Sequence, residues 1–342
     1  MVKLSVPVAV VWILFCAVAP ACKRGSPPAP DDAFLSVYQA QEEAIRLGDG
    51  ARWLSFQTET VPDGVTKAQI DAMRTAIVKN FHPRPGLHET VAASRMSGDR
   101  AALVARVEGL SNAVQYETVR FSRENGAWKI SEEDWSDSPI DPSTLDVLLP
   151  PADGAFGRAH SPWTGIATAE GNTRFFKPEE LTWKMQAVQD EGYLYIRFEA
   201  AAPLPAAGTE MAKNDSVGSF PPTMKIRVRS ASGGQTTDGK EFELQAGPVV
   251  QTRATFDDSG HASNRFFVIY SLTLRDGAHT DIFTMDTHDA FNQLVTVKDR
   301  CLDLKIPLTV LAPAEKRPAE IEIEEVNSLA KILPYQVGSF SQ

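Results

Sequence analysis

From residue 34 onward, core-type positions recur at three- and four-residue spacing: Phe34, Val37, Tyr38, Gln41, Ala44 and Ile45 fall on one face. Asp31 and Asp32 precede the run and Gly48 closes it, so the pattern predicts an amphipathic helix with an acidic start and a glycine stop. "DGARWLSFQTE" supplies a short second helix. Thr66-Lys67-Ala68-Gln69 then forms a capping box before a third helix whose Ile70, Met73, Ile77 and Phe81 share a face. After "HPRPG" the period drops to two. "HETVAASRM", "AALVARVEG", "AVQYETVRFS" and "AWKISEEDW" read as four strands, and the last pair is joined through Asn125-Gly126, a hairpin signal because both turn positions need positive φ. Helices followed by an antiparallel meander predict an α+β layer with the helices on one sheet face.

This order, and the ending "VRFSRENGAWKISEEDW", resembles the NTF2-like, cystatin-like superfamily, in which a curved sheet wraps round a long helix. The resemblance spans residues 31–136 and implies a cone-shaped pocket; by the same resemblance, enzymes of this fold carry an Asp/His or Asp/Tyr pair inside it. Here His82 and His88 flank Pro83-Arg84-Pro85 and read as loop-surface residues. Glu132, Glu133 and Asp134 read as the solvated end of a strand. A non-catalytic pocket or docking module is the expectation for this unit. Two inward ionisable groups within hydrogen-bond reach in the cone would favour an enzyme instead.

Residues 137–157 contain Pro139, Pro142, Pro150 and Pro151 among acidic and small residues and read as a stiff linker. Residues 158–342 alternate in short runs between Gly, Pro, Asp and Asn: "LTWKMQAVQ", "GYLYIRFEA", "TMKIRVRS", "KEFELQA", "VVQTRATFD", "RFFVIYSLTL", "TDIFTMDT", "CLDLKIPLTVL" and "AEIEIEEV". They predict an antiparallel β-sandwich domain. "DEGYLYIRFEA" resembles a strand of carbohydrate-binding sandwich modules related to family nine. That resemblance implies a sugar ligand on exposed aromatic platforms, for which Trp163 and Trp183 are the candidates, although core burial is the commoner fate of a sandwich tryptophan.

The N-terminus changes the picture of where such a body works. Lys3 is followed by a mostly apolar run from Leu4 to Ala21, interrupted by Pro7 and Pro20, which reads as a signal peptide over residues 1–21 rather than a span. Its end, Ala19-Pro20-Ala21-Cys22, resembles the lipobox of bacterial lipoproteins: cleavage after Ala21 would leave Cys22 to be acylated as the first mature residue. The proline-rich residues 22–30 then read as a tether. The implied partner is a membrane, held through the N-terminal lipid, and Lys23 after Cys22 resembles outer-membrane sorting in a diderm envelope. An ordinary Ala-x-Ala cleavage, giving a secreted or periplasmic soluble protein, is the alternative.

The net charge of −10 becomes one unit more negative without Lys3, and no basic run is longer than Lys23-Arg24, which argues against nucleic-acid partners. With Cys16 removed, Cys22 and Cys301 remain, too few for a disulfide scaffold or a Cys-based zinc site, and Cys301 reads as a packing residue. "DGAHTDIFTMDTHDAFN" gathers His279, Asp281, Asp286, His288 and Asp289, conceivable metal ligands without a recognised zinc or calcium spacing. Asp257, Asp258 and His261 read as a turn. No Gly-x-Ser-x-Gly, His-Glu-x-x-His or Walker-type loop occurs, and no cofactor is implied. The functional expectation is an exported, lipid-anchored envelope protein acting as a ligand-binding or assembly module without catalysis, its ligand a carbohydrate or a protein. The alternative is an envelope enzyme with an acid/base site in the NTF2-like pocket or a metal site in the sandwich.

Overall fold

The computed structural model describes residues 32–59, 66–109, 113–159, 163–174, 180–211, 224–230, 242–256, 262–276, 278, 281–311, 321–326 and 335–340. The expected signal peptide, Ala21, Cys22, the tether, Asp257, Asp258, His261 and His279 lie outside the described residues.

Three helices open the chain: α1 (Ala33–Leu47), α2 (Gly50–Phe56) and α3 (Lys67–Asn80). Gly48 ends α1 at φ 72°, and a Cβ there would stand 2.7 Å from the Pro83 backbone nitrogen, so glycine is required on both counts. The capping box at Thr66 and Gln69 forms as expected. Strands β1 (His88–Ser97), β2 (Arg100–Glu108), β3 (Gln115–Glu124) and β4 (Ala127–Ser136) then make one antiparallel sheet in sequence order. Asn125 and Gly126, at φ 51° and 82°, turn the last hairpin.

One face of this sheet receives α1. Phe34 and Tyr38 pack with Leu103, Val119, Phe121 and Ile130, and the Phe34 ring meets Phe121 and Trp128 edge-on at 5.3 and 5.9 Å. The other face is covered too. Ala102 and Val104 of β2 share a core with α4 (Thr144–Leu148), whose Leu145, Val147 and Leu148 are buried together with Leu149. Arg95 of β1 ties this helix down through Asp146 and donates 3.2 Å to the Leu149 carbonyl. Residues 137–157, read from their prolines as a spacer, thus contain a buried helical turn, because the apolar run Leu145 to Leu149 outweighs the flanking prolines.

After α5 (Ala155–Arg158) the chain forms two sheets. The first contains β5 (Ala169–Arg174), β6 (Glu180–Gln189), β7 (Tyr193–Ala200), β13 (Val295–Lys298), β14 (Cys301–Pro307) and β17 (Gly338–Ser339), in the order β13-β14-β7-β6-β17 with β5 on β6. The second contains β8 (Glu210–Met211), β9 (Met224–Ser230), β10 (Phe242–Phe256), β11 (Ala262–Arg275), β12 (Asp281–Asp286), β15 (Ile321–Val326) and β16 (Tyr335–Gln336), in the order β12-β11-β10-β9-β15-β16 with β8 on β11. Pairing is antiparallel except where β17 joins β6. Leu194, Ile196 and Phe198 of β7 and Leu302, Leu304 and Ile306 of β14 share a core with Val268, Tyr270, Leu272 and Leu274 of β11, which makes the two sheets a sandwich.

Two expectations differ in detail. "KEFELQA" and "VVQTRATFD" are one strand, β10, running through Gly247-Pro248. Pro248 pairs with Tyr270 of β11, while pairing to β9 stops at Ala246, so a missing N–H on that edge disrupts nothing. The end of "CLDLKIPLTVL" turns into a short helix, α6 (Leu308–Leu311), directly after Pro307.

Candidate functional site

Between α1 and the sheet, the stripe that begins with Phe34 and Tyr38 becomes polar one turn later. Gln41 and Glu42 are buried at 1 % and 5 % exposure, and Glu117 of β3 at 1 %. The Tyr38 hydroxyl donates to Glu117. Gln41 donates to Glu133 of β4 and accepts from Gln57 at 3.1 Å. Glu42 hydrogen-bonds Glu89 of β1, whose other contact is Arg46 at 3.5 Å. Four glutamates therefore converge beneath one helix, with Arg46 paired to Glu89 alone of the four.

Physical chemistry dictates the consequence. A buried carboxylate that lacks a cation keeps its proton. Burial, the hydrogen bond to Glu89 and the charges of Glu117, Glu89 and Glu133 push Glu42 up to about 10. Burial pushes Glu117 up to about 7, against the opposing pull of the Tyr38 hydrogen bond. Glu133 is raised by burial, which outweighs its bonds from Gln41 and Gln57, and the Tyr38 phenol is raised by burial and by Glu117.

A cavity of about 490 Å³ opens onto this cluster. Glu42 and Glu133 line it with Gln115, Asn80 and His82, and Ile45, Leu87, Trp53, Phe81 and Trp135 supply apolar walls. Trp53 and Phe81 lie against each other at 5.4 Å, and Trp135 remains 47 % exposed. Glu133 and Trp135 reach the cavity because β4 carries a bulge. Ile130 pairs with Phe121 but Glu132 pairs with Arg120, so Ser131 is extra and the inward set changes from even to odd numbers.

The acidic run is thereby split. Glu132 and Asp134 point to the opposite face, where Arg120 binds each at 2.8 Å and binds Asp289 of the sandwich at 2.7 Å. Burial works against the Arg120 charge, but its three carboxylates outweigh it and hold the group above its ordinary value. The reading of Glu132, Glu133 and Asp134 as one solvated strand end meets three residues with two different jobs. His82 stands at the cavity mouth and His88 is exposed at the start of β1.

The remaining candidates separate. Asp281 pairs with Arg275 at 2.6 Å, and Asp286 accepts from the backbone of His288 and Asp289 at 2.6 and 3.0 Å. Asp289 serves Arg120 and accepts from Phe291 N at 2.7 Å. Among the described residues no His/Cys/Asp/Glu group of three has the arrangement to hold a metal ion. Trp183 is buried in the sandwich core with its ring edge-on to Phe198 at 6.1 Å, because it lies on the inner face of β6; it offers no exposed platform. Trp163 lines a second cavity, about 530 Å³, on the outer side of the first sheet with Tyr195, Arg197, Gln293, Thr296 and Asp303. The Arg197 guanidinium sits 4.7 Å over its ring and is gripped twice by Asp303 at 2.6 Å. Cys301 is half-buried on β14, its thiol pushed up by burial, as suits a packing residue.

The three helices and the four-strand antiparallel sheet of the first unit make up about a third of the chain. Solved structures similar to it include NTF2-like proteins of unknown function from Shewanella baltica OS155 (17 % identity, 31 % of this chain, 92 % of that chain, TM-score 0.25) and Shewanella oneidensis MR-1 (21 %, 31 %, 97 %, 0.25). A third is an NTF2-like protein of unknown function from Pseudomonas putida KT2440 (19 %, 35 %, 94 %, 0.24). No family model and no curated protein matches the chain.

Sequence reasoning missed Glu42, Glu89 and Glu117. A signal was present for the first: Gln41 and Glu42 continue the buried spacing of Phe34 and Tyr38, where solvent-facing residues are not expected.

Proposed function

We propose that the chain is an exported, lipid-anchored binding protein whose N-terminal unit holds a small organic molecule in the cavity beside α1. The observation that carries this reading is the cavity itself. Its volume of about 490 Å³, its aromatic walls and its few convergent polar groups match what small-molecule sites require. A thermal-shift screen of small organic compounds tests it, with Trp135→Ala as the control. Compounds that stabilise the wild type and lose their effect in the variant support the reading; equal shifts in both, or none, defeat it.

The anchor is supported by Ala21-Cys22 and the tether that follows. Acyl chains contribute about 0.8 kcal/mol per buried CH₂, so a multiply acylated cysteine holds a body on a membrane without a span. No helix among the described residues is long and apolar enough to cross a membrane. Cys22→Ser is expected to move the protein into the soluble fraction; retention in alkali-washed membranes would defeat the anchor.

A second reading is an acid/base enzyme in the same cavity. It is favoured by Glu42, which burial keeps protonated at neutral pH in a cavity that also holds the Glu133 carboxyl and the His82 imidazole. Turnover of a bound compound, abolished in Glu42→Gln with binding retained, would establish it over simple binding.

A further inference from the structure

We propose that the ligand of the α1 cavity is a protonated amine carrying an apolar or aromatic body, and that its arrival expels a proton from the glutamates behind it. This rests on the binding reading above and names the chemistry of its ligand.

Charge is the first reason. Facing Glu42 are Glu89 from β1, Glu117 from β3, Glu133 from β4 and Tyr38 from its own helix; the cations near them are Arg46 on α1 and, at the mouth, Arg84, where the His82 imidazole also lies. Arg46 is shared with Glu43 at 3.0 Å. An anion entering here would meet Glu42 and Glu133 directly.

Acceptors facing the cavity are the second reason. Glu42 and Glu133 line it with carboxyl groups, and an ammonium carries three donors and no acceptor.

The walls are the third. Trp53, Phe81 and Trp135 surround the entrance to Glu42 and Glu133, and aromatic faces attract cations while covering an apolar body. Among the described residues the glutamates do not form a metal-holding group, which directs the reading to an organic cation.

The proton balance follows. With the cavity empty, Glu42 holds its proton at neutral pH because a charge there would be unpaired. When an R–NH₃⁺ group enters, the Glu42 O–H bond breaks, the proton passes to solvent, and the carboxylate accepts from the ammonium. The cavity's total charge is unchanged. One proton leaves for each cation bound.

The test is titration calorimetry on the full chain in detergent at pH 7, in phosphate and in Tris, whose ionisation enthalpies differ. Three probes of one shape are used: phenethylamine, 2-phenylethanol and phenylacetate. The amine is expected to bind at least about tenfold tighter than the alcohol, phenylacetate is expected not to bind, and the buffer difference is expected to report about one proton released per amine. Glu42→Gln is expected to abolish proton release and weaken the amine about tenfold while leaving the alcohol within about twofold; Glu133→Gln serves as the second variant if Glu42→Gln does not fold. Equal binding of amine and alcohol, or amine binding without proton release, overturns the inference while the binding reading survives. Failure of all three probes overturns both.

Discussion

The two faces of the four-strand sheet solve the same problem in opposite ways. Each gathers several carboxylates against a neighbouring layer. Toward the sandwich, Glu132, Asp134 and Asp289 gather round Arg120, whose guanidinium also lies 5.9 Å over the Phe291 ring. Toward α1, Glu42, Glu89, Glu117 and Glu133 gather round one another and Tyr38. The first set owes its position to a cation within the chain, and the second to protons held by burial. A compensated cluster is a joint; an uncompensated one is chemistry waiting for a counter-charge.

The largest effect that probes this contrast is on the joined face. Leu149→Ala is expected to destabilise the protein by about 4 kcal/mol, because Leu149 is 1 % exposed in a core built from both units. Chemical denaturation followed by tryptophan fluorescence reads it. In the wild type the buried residues 145–149 should resist limited proteolysis under native conditions, and in the variant they should not. Two separated transitions with an unchanged first unit would show that the faces are independent.

Arg120→Met is expected to cost about 3 kcal/mol at pH 7, since it strands Asp289 with two half-exposed carboxylates. Much of that loss should return at pH 4, where the stranded carboxylates take up protons. A loss independent of pH would mean that Arg120 acts by packing alone.

The smallest effect belongs to the α1 face and has the opposite pH sign. Glu117 at about 7 and Glu42 at about 10 bind protons more tightly in the folded chain than at their ordinary value of 4.5. The folded state therefore carries more protons than the unfolded state above that value. Stability is fully present below about pH 4.5 and falls as pH rises through 7 toward 10. Glu42→Gln, which cannot ionise, should flatten this decline and stabilise the empty protein by about 1 kcal/mol at pH 8. A variant that is no more stable than the wild type at pH 8 would place the Glu42 proton elsewhere.

Much of the architecture was legible because it depends on local rules. The capping box at Thr66, the Asn125-Gly126 turn and the four alternating strands each declare themselves within a few residues. The site was not. Glu42, Glu89, Glu117 and Glu133 come from four elements, and nothing near any one of them in sequence marks the other three. Glu132-Glu133-Asp134 was misleading in a physical way: strict alternation would place Glu132 and Asp134 with Ile130, and only the extra residue at Ser131 reverses them. The linker prolines concealed α4 for a related reason, since burial of Leu145 to Leu149 is decided by what packs against it.

Ser131 thus works as a parity bit. Its side chain does little beyond donating 3.1 Å to the Arg120 carbonyl, yet its presence decides which acids of β4 meet Arg120 and which meet the cavity. Removing it would exchange the two sets at the cost of one serine: Glu133 would face the sandwich, and Glu132 and Asp134 would fall beneath α1. Substitutions can adjust such a site by degrees, but a change of one in length inverts it, so descendants of this sheet are free to vary the identity of residue 131 and not its existence.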